Sequence, residues 1–197
     1  MNEARTDLRV IKTRKAIKTS FLNLIRSKGY DRMTVQDIAD EATINRNTFY
    51  LHYLDKPDLM EKLCLEHAEK LNVCAQNNVR DIRELDSTSF ASLLRNVFEV
   101  IDEHLFFFQT MLAETGVPDF ASQLKQTLQT VILSGIEESR HSLKTKIALE
   151  YMTSGLVGVI ALWVSEPVND SREEMIGLLS EIHFHNVVNL LTEIRDA

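Results

Sequence analysis

Between Thr34 and Lys56 the chain gathers Gln36, Arg46, Asn47, Thr48, Tyr50 and His52. The chemistry these side chains share is hydrogen-bond donation to anions and to base edges. The planar fork of Arg46 matches guanine O6 and N7, and it suits a phosphate equally well. A phenol (Tyr50) and an imidazole (His52) at the rim of a groove donate to phosphate and pack on sugar. Lys56 begins the run Lys56-Pro57-Asp58-Leu59, which reads as a helix start. A cation there opposes the helix macrodipole, and a docked phosphate removes the conflict. Thr34 opens an earlier helix in the same way and can serve as its N-cap at the same time; Gln36 is a further polar candidate.

Three short helices are expected to position these groups. Ile17, Phe21, Leu24 and Ile25 recur at helical spacing, and Gly29 after Lys28 marks a helix C-terminus. Thr34 with Asp37 reads as a capping box, followed by the apolar stripe Val35, Ile38, Ala39 and Ala42. Thr43-Ile44-Asn45 forms a break, and Asn45 can cap a helix from Arg46 to about Tyr53. Phe49 and Tyr53 face inward on it, while Arg46, Asn47 and Tyr50 project outward. Helix, three-residue turn and polar second helix form a helix-turn-helix layout. Asp55 is expected to cap a long fourth helix reaching about Asn77.

Charge is distributed to match. Residues 1–56 hold 11 Lys/Arg against 7 Asp/Glu, and residues 57–197 hold 11 against 22, together returning the net −7 of the 197-residue chain. A basic head on an acidic body is the asymmetry expected when only the head meets phosphate. Arg5, Arg9, Lys12, Arg14 and Lys15 concentrate that charge, as an arm that follows DNA or as a solvated tail.

With 44% apolar and 26% charged residues the composition is that of a globular chain, and only 6 glycines and 3 prolines favour long helices. Further helices are expected at about 88–103, 104–115, 119–140, 143–165 and 171–194. The apolar stretch Leu156–Val164 is short for a membrane span, and the charged N-terminus has no signal-peptide core, so a cytoplasmic protein without membrane attachment is expected. Cys64 and Cys74 match neither a CxxC nor a zinc pair, and His183 and His185, at i, i+2, diverge on a helix; no metal and no cofactor are expected. No nucleophile elbow, phosphate loop or HExxH occurs, so the chain is not read as an enzyme.

On the last two helices, Leu156, Val159, Ile160 and Trp163 form one apolar stripe and Leu178, Leu179, Ile182, Leu190 and Leu191 another. With Gly155 and Gly158 permitting close approach, they read as a homodimer interface, which suits the reading of two half-sites.

The runs Thr34-Val35-Gln36-Asp37-Ile38-Ala39, Ile44-Asn45-Arg46-Asn47-Thr48-Phe49-Tyr50-Leu51-His52-Tyr53 and Asp55-Lys56-Pro57-Asp58-Leu59 resemble the DNA-binding signature of TetR-family transcriptional regulators, over about residues 10–63. Thr43 departs from the glycine often found in that turn. The segments His104-Leu105-Phe106-Phe107-Phe108, Thr115–Phe120 and Ser154-Gly155-Leu156-Val157-Gly158 resemble a C-terminal domain of a Firmicute-type subset that includes activators of dihydroxyacetone kinase genes. The resemblance implies an all-α fold: a three-helix helix-turn-helix head (1–55) joined by a long helix to a C-terminal effector-binding and dimerisation domain (56–197). It implies double-stranded operator DNA as partner, Tyr50 and His52 on phosphates, and Asn47 and Thr48 near bases or backbone. It also implies a small-molecule effector, with Phe98, Phe107, Met111, Tyr151 and Met152 as pocket candidates alongside Phe106 and Phe108; ordinary core packing competes for each. A repressor is the expected outcome. The alternative is an activator or co-regulator controlled by a protein partner.

Overall fold

The computed structural model describes residues 8–78, 87–113, 120–133, 143–165 and 172–183, with only the backbone described at 75–78 and 131–133. Among the described residues all regular structure is helical: α1 (Leu8–Lys28), α2 (Val35–Glu41), α3 (Arg46–Tyr50), α4 (Lys56–Asn78), α5 (Ser87–Glu103), α6 (Leu105–Leu112), α7 (Phe120–Leu133), α8 (Leu143–Ser165) and α9 (Arg172–His183). The fold is all-α, as the sequence implies. Two compact units form, Met1–His67 with Ala113–Val117, and Ala68–Leu112 with Pro118–Ala197, so their boundary falls inside α4.

In the first unit α1 buries Ile17, Phe21 and Ile25, one stripe at i, i+4, i+8. It ends where the Gly29 N–H reaches the carbonyls of Leu24 and Ile25 at 3.1 and 3.0 Å. Gly29 sits at φ 84°, a left-handed conformation glycine reaches without steric cost. The capping box on α2 is complete. The Asp37 N–H donates to Thr34 Oγ1 at 3.2 Å, and the Thr34 N–H donates to Asp37 Oδ2 at 2.7 Å. Lys28 reaches the same carboxylate oxygen at 2.7 Å.

The turn after α2 is a Schellman motif. Ile44 N–H returns to Ala39 O at 2.9 Å and Thr43 N–H to Asp40 O at 3.1 Å. The motif demands a left-handed residue at its centre, and Thr43 supplies it at φ 54°. Thus the position where TetR regulators often carry glycine does use the conformation glycine favours, but with a β-branched side chain.

Helix α3 is shorter than the expected Arg46–Tyr53. Both His52 N–H and Tyr53 N–H point to Phe49 O, at 2.9 and 3.0 Å, so the final turn tightens and the regular helix stops at Tyr50. Asp55 caps α4 as expected, its Oδ1 accepting from Asp58 N–H at 2.8 Å.

In the second unit α5 packs against α9 and α6, and α8 packs against α6 and α7. Phe90, Leu94, Phe98 and Ile101 form the buried stripe of α5. Phe107, Phe108 and Phe120 make an aromatic cluster with centroid separations of 5.1, 5.4 and 6.5 Å. The Trp163 indole N–H donates to Asp102 at 2.9 Å, and Arg172 approaches the other oxygen of that carboxylate at 3.1 Å. Helix α8 is, among the described residues, long and apolar enough to cross a membrane, but half of that stretch is buried inside the unit. Its inward side, from Ala148 to Val164, is core. The parts of the expected helices that fall at 114–115, 119, 134–140, 171 and 184–194 lie outside the described residues.

Candidate nucleic-acid interface

Asn45 starts α3 by accepting the Asn47 N–H on Oδ1 at 2.8 Å. Phe49, fully buried, anchors the helix and stacks edge-on to Tyr50 (5.6 Å) and tilted to Tyr53 (5.7 Å). With Phe49 inward, the helical repeat turns Arg46, Asn47 and Tyr50 outward, and all three are exposed. The Arg46 guanidinium donates to the Tyr50 hydroxyl at 3.2 Å and lies 5.6 Å from its ring centroid. Thr48 and His52 lie on the flank, half-buried. Burial, and secondarily the charge of Arg14, hold the His52 imidazole below its ordinary pKa. At neutral pH it is an uncharged ring with one N–H to donate.

The structure thus brings Arg46, Asn47 and Tyr50 onto one face and sets Thr48 and His52 beside it. Thr34, Gln36 and Lys56 are engaged within the chain. The Thr34 hydroxyl accepts from Asp37 N–H and donates to the Asp37 carboxylate at 2.8 Å. The Gln36 amide donates to Asp40 at 2.7 Å. The Lys56 ammonium donates to the carbonyls of Tyr30 (2.7 Å) and Met33 (3.2 Å) and stands 4.2 Å from the Tyr30 ring centroid. These contacts resolve the macrodipole conflict at Lys56 internally and leave one ammonium proton for an outside acceptor. Arg9, Lys12, Arg14 and Lys15 are exposed on α1, and Arg5 lies outside the described residues.

Two family profiles match the chain: bacterial regulatory proteins of the tetR family over residues 22–63, and a transcriptional regulator C-terminal region over residues 89–184. The chain belongs to the TetR family of transcriptional regulators. An uncharacterised HTH-type transcriptional regulator of Bacillus subtilis (strain 168), YxbF, is 25% identical over 169 residues, covering 83% of this chain and 42% of that protein. The chain spans less than half the length of the curated relatives it matches. A TetR-family regulator from Syntrophomonas wolfei str. Goettingen shares the fold at TM-score 0.63 and 20% identity, covering 91% of this chain and 96% of that one. The dihydroxyacetone kinase operon activator DhaS matches at TM-score 0.53 and 18% identity, over 94% and 98% of the two chains.

TetR regulators are transcription factors rather than enzymes. Among the described residues no three His, Cys, Asp or Glu side chains converge as metal ligands. Burial pushes the Cys64 thiol up to about 11 and raises Cys74, so neither is a poised nucleophile.

Of the pocket candidates, Phe98, Phe107, Met111 and Met152 are buried, whereas Tyr151 is exposed. Of the interface candidates, Leu156, Ile160, Trp163 and Leu179 lie in the core of their own unit, Val159 is half-buried, Ile182 is exposed, and Leu190 lies outside the described residues. A second stripe of α8, Ile147, Tyr151, Gly155, Gly158 and Leu162, faces outward, as do Leu178 and Ile182 on α9. A groove of about 900 Å³ runs between these helices, and Tyr151, Gly155, Val159, Leu179, Ile182 and His183 help line it. His183 is buried, and among the described residues neither ring nitrogen makes a hydrogen bond of full geometry, although the Met152 and Leu179 backbones lie close to it. Burial dominates in holding its pKa down, against a weaker opposite pull from the backbone at Met152 and Leu179.

The sequence places the α8 interface on Leu156, Val159, Ile160 and Trp163, whereas the stripe left outward is Ile147, Tyr151, Gly155, Gly158 and Leu162; both satisfy helical spacing because α8 is apolar around most of its circumference. Leu51, outside the sequence-derived candidates, follows Asn47 by four residues and shares its side of the helix.

Proposed function

We propose that this protein is a cytoplasmic homodimeric regulator, a repressor, that binds double-stranded operator DNA through α2 and α3. The observation that carries this reading is the outward face of α3, where Arg46, Asn47 and Tyr50 stand exposed above a fully buried Phe49. Donors mounted on a helix anchored from behind are what major-groove reading requires. Thr48 and His52 flank the contact, Lys56 adds its remaining proton near phosphate, and Thr34 and Gln36 border it. The α1 cations Arg9, Lys12, Arg14 and Lys15 supply the salt-dependent attraction.

Residues 1–55 form the DNA-binding part and residues 56–197 the part that senses a signal and dimerises. The outward stripe of α8 with Leu178 and Ile182 is the surface offered to a second copy, since exposed apolar side chains around two glycines favour close helix approach. A small-molecule effector enters the core near Phe98, Phe107, Met111 and Met152. A second reading, an activator or co-regulator governed by a protein partner, gains from the ring-on-ring packing of those side chains: Phe98 lies 6.0 Å from Trp163 and Phe107 5.4 Å from Phe120.

The deciding experiment selects bound fragments from genomic DNA and measures their affinity for the wild-type chain and Arg46→Ala. A loss of about 1–3 kcal/mol with helicity retained supports the reading. Unchanged affinity overturns the assignment of α3.

A further inference from the structure

We propose that Leu51 reads thymine, placing its side chain against a 5-methyl group in the major groove; this rests on the operator-binding reading above.

Leu51 is the C-cap of α3, at φ −74° and ψ −16°. Its backbone is still helical, and its N–H points to Thr48 O at 3.3 Å. Its side chain therefore continues the register of the helix and falls one turn beyond Asn47, on the same side of α3 as that residue. It is 80% exposed, the most exposed large apolar side chain among the described residues. The fold does not use it. Phe49 and Tyr53, the aromatic residues either side, supply the apolar anchor of this segment at 0% and 4% exposure.

An apolar side chain exposed on a recognition face gains when docking brings it an apolar counterpart. The major-groove edge of DNA offers one, the C5-methyl of thymine; every other feature there is a hydrogen-bond donor or acceptor. Arg46, Asn47 and Tyr50 read those polar features and are indifferent to the methyl. Leu51 adds a sensitivity they lack, to the methyl that distinguishes thymine from uracil.

The test removes the methyl alone. A duplex selected from a random library by the full chain is resynthesised with each thymine replaced in turn by deoxyuridine. The wild-type chain is expected to lose about four-fold in affinity at one thymine of each half-site, the transfer value of one methyl-sized group. Leu51→Ala is expected to bind the thymine duplex as weakly as the wild type binds the deoxyuridine duplex, and to be blind to the replacement. Circular dichroism should show unchanged helicity for a substitution at so exposed a position. Sensitivity retained in Leu51→Ala, or no thymine with a methyl effect, overturns the proposal while leaving operator binding standing. So does a Leu51→Ala variant that loses affinity equally on both duplexes, which would place Leu51 on sugar or on protein. Failure of the wild-type chain to select any duplex overturns both readings.

Discussion

Arg46 and Tyr50 form a clasp: the guanidinium donates to the phenol oxygen at 3.2 Å and lies over the ring of its own neighbour one turn along α3. An exposed arginine ordinarily samples many rotamers, and a clasp of this kind lowers the entropy lost when the fork engages a base. Tyr50→Phe keeps the ring and removes the acceptor. Operator affinity is expected to fall by about 0.5–1.5 kcal/mol, read by fluorescence anisotropy, with thermal stability unchanged. Affinity equal to wild type would mean that the hydroxyl directs nothing.

Thr43 carries the conformational strain of the turn. A β-branched residue at φ 54° crowds its own carbonyl. Thr43→Gly relieves that crowding and gives back part of the gain through a more flexible unfolded chain. The net expectation is a stabilisation of about 0.5–1 kcal/mol in urea unfolding. Destabilisation would show that the Thr43 side chain holds a contact worth more than the strain.

Asp37 should make the first unit acid-sensitive. The hydrogen bond from Lys28, then those from the Thr34 side chain and backbone, lower its pKa from 3.8 to about 2. A depressed carboxylate stabilises the fold fully above its unfolded value and loses that contribution as pH falls from 3.8 toward about 2. Urea midpoints measured across this interval should decline less steeply in Asp37→Asn than in the wild type, the remaining slope belonging to other depressed carboxylates such as Asp58. Parallel slopes in the two proteins would argue that Asp37 is not the group titrating.

Gly158 separates folding from association. A Cβ built there meets nothing within 4 Å in the chain. Gly158→Ala should therefore raise helix stability by about 0.5–1 kcal/mol. Gly158→Glu places a charge on the outward stripe and should convert the proposed dimer to monomer in sedimentation experiments while preserving helicity. A Gly158→Glu protein that sediments as the wild type would remove this stripe from the interface.

Local signals were the legible ones. The Thr34–Asp37 box, the Asn45 and Asp55 caps and the Gly29 stop each depend on residues within five positions, and each is formed. Signals that depend on distant packing were not readable. Lys56 meets carbonyls at Tyr30 and Met33, more than twenty residues earlier, and no spacing rule announces that. In α8 the difficulty was different. Leu156, Ile160 and Trp163 satisfy helical periodicity, and so do Ile147, Tyr151, Gly155 and Leu162. A helix apolar on most sides gives no hydrophobic contrast by which to tell the stripe that meets its own core from the one left outside. The length of α3 failed for a third reason: one carbonyl, Phe49 O, accepts two donors and closes the helix early.

The contact of Lys56 with Met33 O has a mechanical meaning. Met33 immediately precedes Thr34, the cap on which α2 is built, and Lys56 is the first residue of α4. The two helix starts are thereby tethered through a single ammonium group, bypassing the hydrophobic contacts of α1. A displacement of the α4 start is therefore passed to the first turn of α2 once it exceeds the slack of one lysine side chain. Lys56 thus links α4 by a charged hydrogen bond to the segment that precedes the turn aiming α3.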